Sequence, residues 1–182
     1  LDGKTARSDG NLDWFLSDRE FEDEMLSLLR NVDGMLFGRK SYELLAEYWP
    51  TADEPGAPDA PGGFTSKERG RELARLMNTL PKLVVSTTLK QLRWGPARLL
   101  GSDLAGEVHR LKAESRKDLV LFAGAGLART FIELDLLDEW RLMLHPIALG
   151  AGLELFAPPL PERALRLLEA RPLSAGYLKA KM

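Results

Sequence analysis

The chain has 182 residues, 45% of them apolar and 29% charged, with a formal charge of −2 and an isoelectric point near 5.8. That length fits one domain able to bury about 70% of the surface its unfolded form exposes, and the acidic balance argues against a nucleic-acid partner, which requires a basic face. No run reaches the roughly 20 apolar residues needed to span a bilayer, no signal-peptide pattern is present, and the absence of cysteine removes disulfides, thiolate metal sites and a cysteine nucleophile.

The two histidines, His109 and His145, stand 36 positions apart, so no metal site is expected. A cytoplasmic protein without a membrane or nucleic-acid partner fits these bounds.

In chain order, "SDREFEDEMLSLLRNV" places Ser17 and Glu20 as a capping box. Phe21, Met25, Leu28 and Val32 then follow at helical spacing, which predicts an amphipathic helix. "GMLF" (34–37) predicts a short buried strand, and a helix is expected from about 39 to 49, ending at Trp49-Pro50. Residues 50–64 hold four prolines and three glycines, which predicts an irregular loop of the kind that often serves as a lid. Thr65 and Glu68 form a second capping-box pattern, opening a helix through about Met77.

"KLVVSTT" (82–88) predicts a buried strand ending in three hydroxyls, and "ARLLG" (97–101) a short strand. Asp103 or Ser102 then caps a helix with Leu104, Val108 and Leu111 on one face. "DLVLFAGAG" (118–126) predicts a third buried strand running into a Gly-Ala-Gly turn and a helix through about Leu134. "EWRLMLHPIAL" is strand-like up to Pro146, while "ALRLLEARPL" and "AGYLKAKM" suggest a closing antiparallel pair. The alternation predicts an α/β fold, a mostly parallel central sheet flanked by helices with an antiparallel C-terminal edge.

Three of these strands end in short polar or glycine segments, "GRKS", "STT" and "GAG". Ligands of open α/β sheets bind outside the carboxyl ends of the strands. At the first and third ends a helix begins at once, so free N–H groups and the helix dipole favour an anion. Arg39 and Lys40 could neutralise a polyphosphate, or could be a solvated helix start. "GAG" alone is no dinucleotide fingerprint, because Arg129 stands where the third glycine would fall.

"DGMLFGRKSYELLAEYWP", "LPKLVVSTTL" and "LVLFAGAGLARTFIELDLLDEWRLMLHPIALGAGLELF" together resemble, in order and spacing, the dihydrofolate-reductase-like superfamily. The resemblance is to the branch of the riboflavin-biosynthesis reductase (RibD C-terminal) domain and related small reductases, whose N-terminal segment "LDGKTARSDGNLDW" matches. It implies one reductase domain over 1–182, a sheet of eight or nine strands, and a first strand lying just ahead of residue 1. It further implies NADPH as hydride donor and a homodimer joined through C-terminal strands. By match, Gly38, Arg39, Lys40 and Ser41 would grip the phosphates. Ser86, Thr87 and Thr88 would meet the adenosine 2′-phosphate end, and Gly124, Ala125, Gly126, Leu127 and Ala128 the pyrophosphate. Dihydrofolate reductases proper carry paired glycines joined by a cis peptide where this chain has Gly124-Ala125.

Hydride transfer also needs a group that supplies or orients a proton. Asp18, after Trp14, is one candidate; its other reading is support for the helix cap. Lys4, which faces the substrate in the riboflavin-type branch, is the second, with a mobile terminal lysine as its alternative. Asp2, Gly3, Trp14 and Trp49 are the expected substrate contacts, although core packing explains Trp49 and Tyr48 equally well. Asp138-Glu139 reads as a solvated strand edge and His145 as a strand or interface residue. The expected activity is NADPH-dependent reduction of a planar heterocycle or related carbonyl or imine, of the riboflavin-precursor type (5-amino-6-ribosylaminouracil). The alternatives are a dihydrofolate reductase proper, or a non-catalytic dimer binding a nucleotide or other ligand on the same fold.

Overall fold

The computed structural model describes residues 1–15, 17–54, 66–174 and 178–182. In chain order the elements are β1 (Lys4–Ala6), α1 (Arg19–Arg30), β2 (Val32–Gly38), α2 (Arg39–Ala46) and a 3-10 turn (Trp49–Thr51). Next come α3 (Lys67–Thr79), β3 (Lys82–Val85), β4 (Ala97–Leu100), α4 (Leu104–Glu114), β5 (Asp118–Phe122) and α5 (Ala125–Glu133). The chain closes with β6 (Arg141–Leu144), β7 (Leu153–Glu154), β8 (Glu169–Pro172) and β9 (Leu178–Lys181). These fall into two compact units, Phe21–Ala123 and the pair of segments Leu1–Glu20 and Gly124–Met182.

The unit Phe21–Ala123 is built on a parallel sheet in the order β4-β3-β2-β5. Its central strand β2 buries Val32 and all four residues from Gly34 to Phe37, as a strand covered on both faces must. Around it Leu26 and Leu29 of α1, Tyr42 of α2, Leu73 and Met77 of α3, Val84 and Trp94 form one core cluster. The buried stripe of α1 is therefore Glu22, Leu26 and Leu29, with Met25 and Leu28 flanking it, one position later than the spacing from Phe21 suggested.

Caps fix the helix starts. Ser66 accepts the Arg69 N–H at 3.3 Å, so the cap of α3 falls on Ser66 rather than Thr65. Asp103 caps α4 through the Gly106 N–H at 3.0 Å, one of the two positions expected. Helix α1 opens at Arg19, and Glu20 accepts the backbone N–H of Ser174 instead of closing a box with Ser17. Helix α2 ends at Ala46, short of the expected 49, and Pro50 and Thr51 belong to the 3-10 turn. The remainder of the proline-rich loop, from 55 to 64, lies outside the described residues, as does Thr65.

Two polar devices, one half-buried and one buried, tie the lower end of this sheet. The Asp33 carboxylate accepts the N–H groups of Arg116 and Lys117 at 2.7 and 2.8 Å, which holds it below the usual carboxylate range and pins the turn before β5 to β2. Lys82 is fully buried, with its ammonium on the carbonyls of Asn78, Leu80 and Gly95 at 2.9, 2.9 and 3.3 Å. It also lies 4.5 Å from the centre of the Trp94 ring.

In the unit of Leu1–Glu20 and Gly124–Met182, β1 pairs antiparallel with β7, and β6-β9-β8 form an antiparallel sheet. The closing antiparallel pair is β8 with β9, as the two tail segments suggested. Gly152 lies where β7 crosses β1: a Cβ there would sit 2.3 Å from the Ala6 carbonyl oxygen, so only glycine fits. Among the described residues the cis peptide bonds are Gly95-Pro96 and Pro158-Pro159, so the Gly124-Ala125 bond is trans.

Candidate active site

The parallel register of β2 and β3 sets Gly38 opposite Val85. The start of α2 and the turn from Ser86 to Thr88 therefore emerge side by side at the carboxyl end of the sheet. Gly38 is the N-cap of α2 in extended conformation (φ −81°, ψ 162°), and no side chain caps this helix. Its first N–H groups consequently face outward without side-chain acceptors, unlike those of α3 and α4. Arg39 and Lys40 are exposed and Ser41 half-buried. Arg39 reaches Glu43, one turn on, at 3.0 Å, with both side chains 44% exposed. Such a pair contributes only about 0.3–0.5 kcal/mol, so Arg39 leaves it readily for a stronger anion.

The hydroxyl of Ser86 accepts the N–H groups of Thr88 and Leu89 at 3.2 and 2.9 Å, which rounds the chain into a tight turn. Its own proton remains available for donation, and Thr87 and Thr88 are exposed beside it.

In the other unit, α5 also begins without a side-chain cap, on Gly124 in extended conformation (φ −72°, ψ 169°). Ala125 and Ala128 face inward and are buried, Leu127 is half-buried, and Gly126 is exposed. A Cβ built on Gly124 or Gly126 would meet nothing within 4 Å. Packing in the protein therefore does not require glycine at either position, and what the two glycines provide is an open path to bare backbone N–H groups.

The remaining candidates form separate contacts within the same unit. Lys4, far from being a loose terminal lysine, is held in β1 with its side chain 13% exposed and ion-paired to Glu154 of β7. Asp2 accepts the Gly150 N–H at 2.8 Å, and this hydrogen bond keeps its carboxyl below the usual range. Gly3 adopts φ 72°, a conformation suited to glycine, and its carbonyl accepts the Leu155 N–H at 2.9 Å. Asp18 accepts the Ser174 hydroxyl at 3.0 Å. Trp14 meets His145 edge-on, ring centres 5.2 Å apart, and its indole N–H is buried without an acceptor among the described residues. His145 is buried against Trp14 and Phe15, and burial pushes its imidazole below its ordinary pKa. Glu139 bridges Arg141 and Lys181 at 2.5 and 2.7 Å, a structural tie between β6 and β9.

Trp49 packs partly buried against the core of the other unit, edge-on to Tyr48, and the structure gives it a packing role. Among the described residues no group of His, Asp and Glu side chains is arranged to hold a metal ion, and no helix is long and apolar enough to cross a membrane.

Residues 1–179 match the RibD C-terminal domain family. The chain is 31% identical over 179 residues to the uncharacterized protein YyaP of Bacillus subtilis, covering 98% of this chain and 87% of that protein. It is 26% identical to the uncharacterized protein YwjB of the same organism, over 92% of this chain and 83% of that one. Its fold superposes on a crystal structure described as a putative riboflavin biosynthesis protein from Shewanella sp. PV-4, with TM-score 0.72 and 20% identity over 100% of this chain and 92% of that one. It also matches the Thermotoga maritima diaminohydroxyphosphoribosylaminopyrimidine deaminase/5-amino-6-(5-phosphoribosylamino)uracil reductase, with TM-score 0.60 and 17% identity, where it spans 53% of the longer chain.

Proposed function

The chain belongs to the RibD C-terminal domain family, which is reductase-like, and within it we propose that the protein is an NADPH-dependent reductase of a small planar heterocycle of the riboflavin-precursor type. One observation carries the cofactor part. The helices that follow β2 and β5 open on glycine with uncapped N–H groups, while α3 and α4 begin under the side chains of Ser66 and Asp103. An uncapped N-terminus with cations beside it is the local chemistry that takes up phosphate.

When bound, NADPH supplies the hydride. The chain's part is to hold and orient. Gly38, Arg39, Lys40 and Ser41 receive phosphate through backbone N–H groups and charge, and Ser86, Thr87 and Thr88 donate to the adenosine 2′-phosphate. In the other unit Gly124, Ala125, Gly126, Leu127 and Ala128 offer the pyrophosphate a bare helix start. Lys4 faces the substrate as an ammonium kept in place by Glu154 and can hold or deliver a proton, with Asp18 as the second candidate for that task. Asp2, Gly3 and Trp14 line the substrate side. On this reading residues 1–182 act as one reductase domain, in the cytoplasm and without a metal, nucleic-acid or membrane partner.

The open space over Gly124 makes a clean test. Gly124→Ala adds only a Cβ, which meets no protein atom within 4 Å, in a conformation alanine adopts freely. Thermal stability should therefore stay within a degree or two of the parent. NADPH affinity should fall by roughly tenfold or more, the scale of one lost charge-assisted hydrogen bond. Unchanged affinity with an intact fold would remove α5 from the cofactor reading.

A homodimer is part of the same proposal. Leu144, Phe156, Leu165, Leu167 and Leu168 are large apolar side chains left 37–60% exposed in the C-terminal stretch. Exposed apolar surface of this kind is normally covered by a partner. Light scattering at micromolar concentration should give twice the mass of the 20.3 kDa chain, and a clean monomer would contradict it.

A further inference from the structure

Tyr42 lies three residues after Arg39 on α2, but its side chain turns inward and is 1% exposed. Its hydroxyl donates to the carbonyl of Trp94 and accepts the N–H of the same residue, both at 2.8 Å. One hydroxyl thus satisfies both backbone groups of a single buried residue, as a neighbouring β-strand would. Trp94 is itself 2% exposed, and its indole N–H donates to Asn78 at 2.8 Å. The rings of Phe37, Tyr42 and Trp94 meet at 5.8–6.5 Å.

Trp94 lies three residues before β4, near the end of the connection from β3. That connection begins with the turn closed by Ser86, and its middle is tacked to the core by Leu89 and Leu92. Thr87 and Thr88 are the exposed hydroxyls of a loop pinned at both ends. The pin at its far end is Tyr42, which belongs to the helix carrying Arg39 and Lys40. No backbone hydrogen bond between α2 and the loop is needed for this link; the side chain makes it.

We infer that Tyr42 is a positioning residue that locks the Arg39–Lys40 helix start to the Ser86–Thr88 loop, so that the two meet one phosphorylated nucleotide as a unit and favour the one bearing a 2′-phosphate. The inference rests on the cofactor reading above and deepens it to specificity. Hydroxyl and cation contacts to one ligand lose strength together when their spacing loosens, because a misplaced group forfeits most of a directional hydrogen bond. Loosening should therefore weaken NADPH more than NADH, which lacks the 2′-phosphate.

Tyr42→Phe removes one oxygen and keeps the ring in the core. Dissociation constants for NADPH, NADH and 2′,5′-ADP would be measured on the full chain, together with the melting temperature. NADPH and 2′,5′-ADP should bind roughly five- to tenfold more weakly, the scale of one hydrogen bond lost with its alignment, while NADH changes less than twofold. Trp94→Phe, which keeps the backbone clamp but drops the indole donor to Asn78, should lower the melting temperature without moving the NADPH-to-NADH ratio. A role for Tyr42 in stability alone would lower the melting temperature of Tyr42→Phe and leave that ratio at the parental value, which overturns the inference. If Tyr42→Phe does not fold, amide exchange in the parent protein decides: 2′,5′-ADP should slow exchange of the Trp94 N–H, and an unchanged rate overturns the inference. Should the parent bind neither nicotinamide, the cofactor reading falls and the lock falls with it.

Discussion

Lys40→Ala is expected to weaken NADPH binding about 10- to 150-fold, the range of one charge-assisted hydrogen bond of roughly 1.5–3 kcal/mol. Lys40 is exposed at the first turn of a helix that no side chain caps, beside the loop that presents Thr87 and Thr88. Nothing in the core depends on it, so the fold should survive unchanged. Arg39→Ala belongs in the same experiment. Its pair with Glu43 is exposed and contributes little to stability. A cation on the 2′-phosphate would weaken NADPH and spare NADH, whereas a cation on the pyrophosphate would weaken both together. Should both substitutions change NADPH affinity by well under tenfold, the pair is a solvated helix start and the phosphate reading of α2 fails.

Lys82 should make stability depend on pH in an alkaline window. Burial pushes its ammonium down from an ordinary 10.5 to about 8. Between these values the unfolded chain carries the lysine proton and the folded chain has released it. The unfolded state binds more protons there, so stability rises with pH from about 8 to 10.5 and the contribution is level below 8. The rise integrates to roughly 3 kcal/mol. Other groups titrate in the same range, so the comparison is with Lys82→Met, a side chain of similar length without the proton. Urea unfolding at pH 7.5, 9 and 10.5 should show the parent gaining on the variant by that amount. Curves that stay parallel would mean the three carbonyls and the Trp94 ring hold the ammonium as well as water does.

The strands β2, β3 and β5 were legible because central parallel strands are apolar on both faces and show as continuous runs. The Asp103 cap was legible because its chemistry is local. The strands β1 and β7 were not, since three and two residues containing Lys4, Thr5 and Glu154 carry no period, and their pairing is made by residues about 150 positions apart. The burial of the Lys82 ammonium was not legible, because no sequence pattern marks the three carbonyls that surround it. Tyr42 and Trp94 escaped for the same reason: the aromatic pair that drew the eye, Tyr48 and Trp49, packs at the rim of the core. The segments proposed to meet phosphate stood out in the sequence because glycines, cations and hydroxyls at strand ends keep their chemistry whatever the tertiary fold. The surroundings of Lys4 and Asp18, the candidates for the proton, stood out less, because each is held by a partner, Glu154 and Ser174, distant in the chain.

The central claim is that this chain binds NADPH in order to pass on its hydride. Melting of the protein would be followed with NADPH, with NADH and with neither, and then a panel of aminouracil, pterin and other planar heterocyclic substrates would be scored by loss of reduced-nicotinamide absorbance. The account predicts a larger upward shift in melting temperature with NADPH than with NADH at equal concentration, and NADPH oxidation on at least one member of the aminouracil group. No shift with either nucleotide would contradict the cofactor assignment, and NADPH binding without oxidation on any compound would identify a ligand-binding protein on a reductase scaffold.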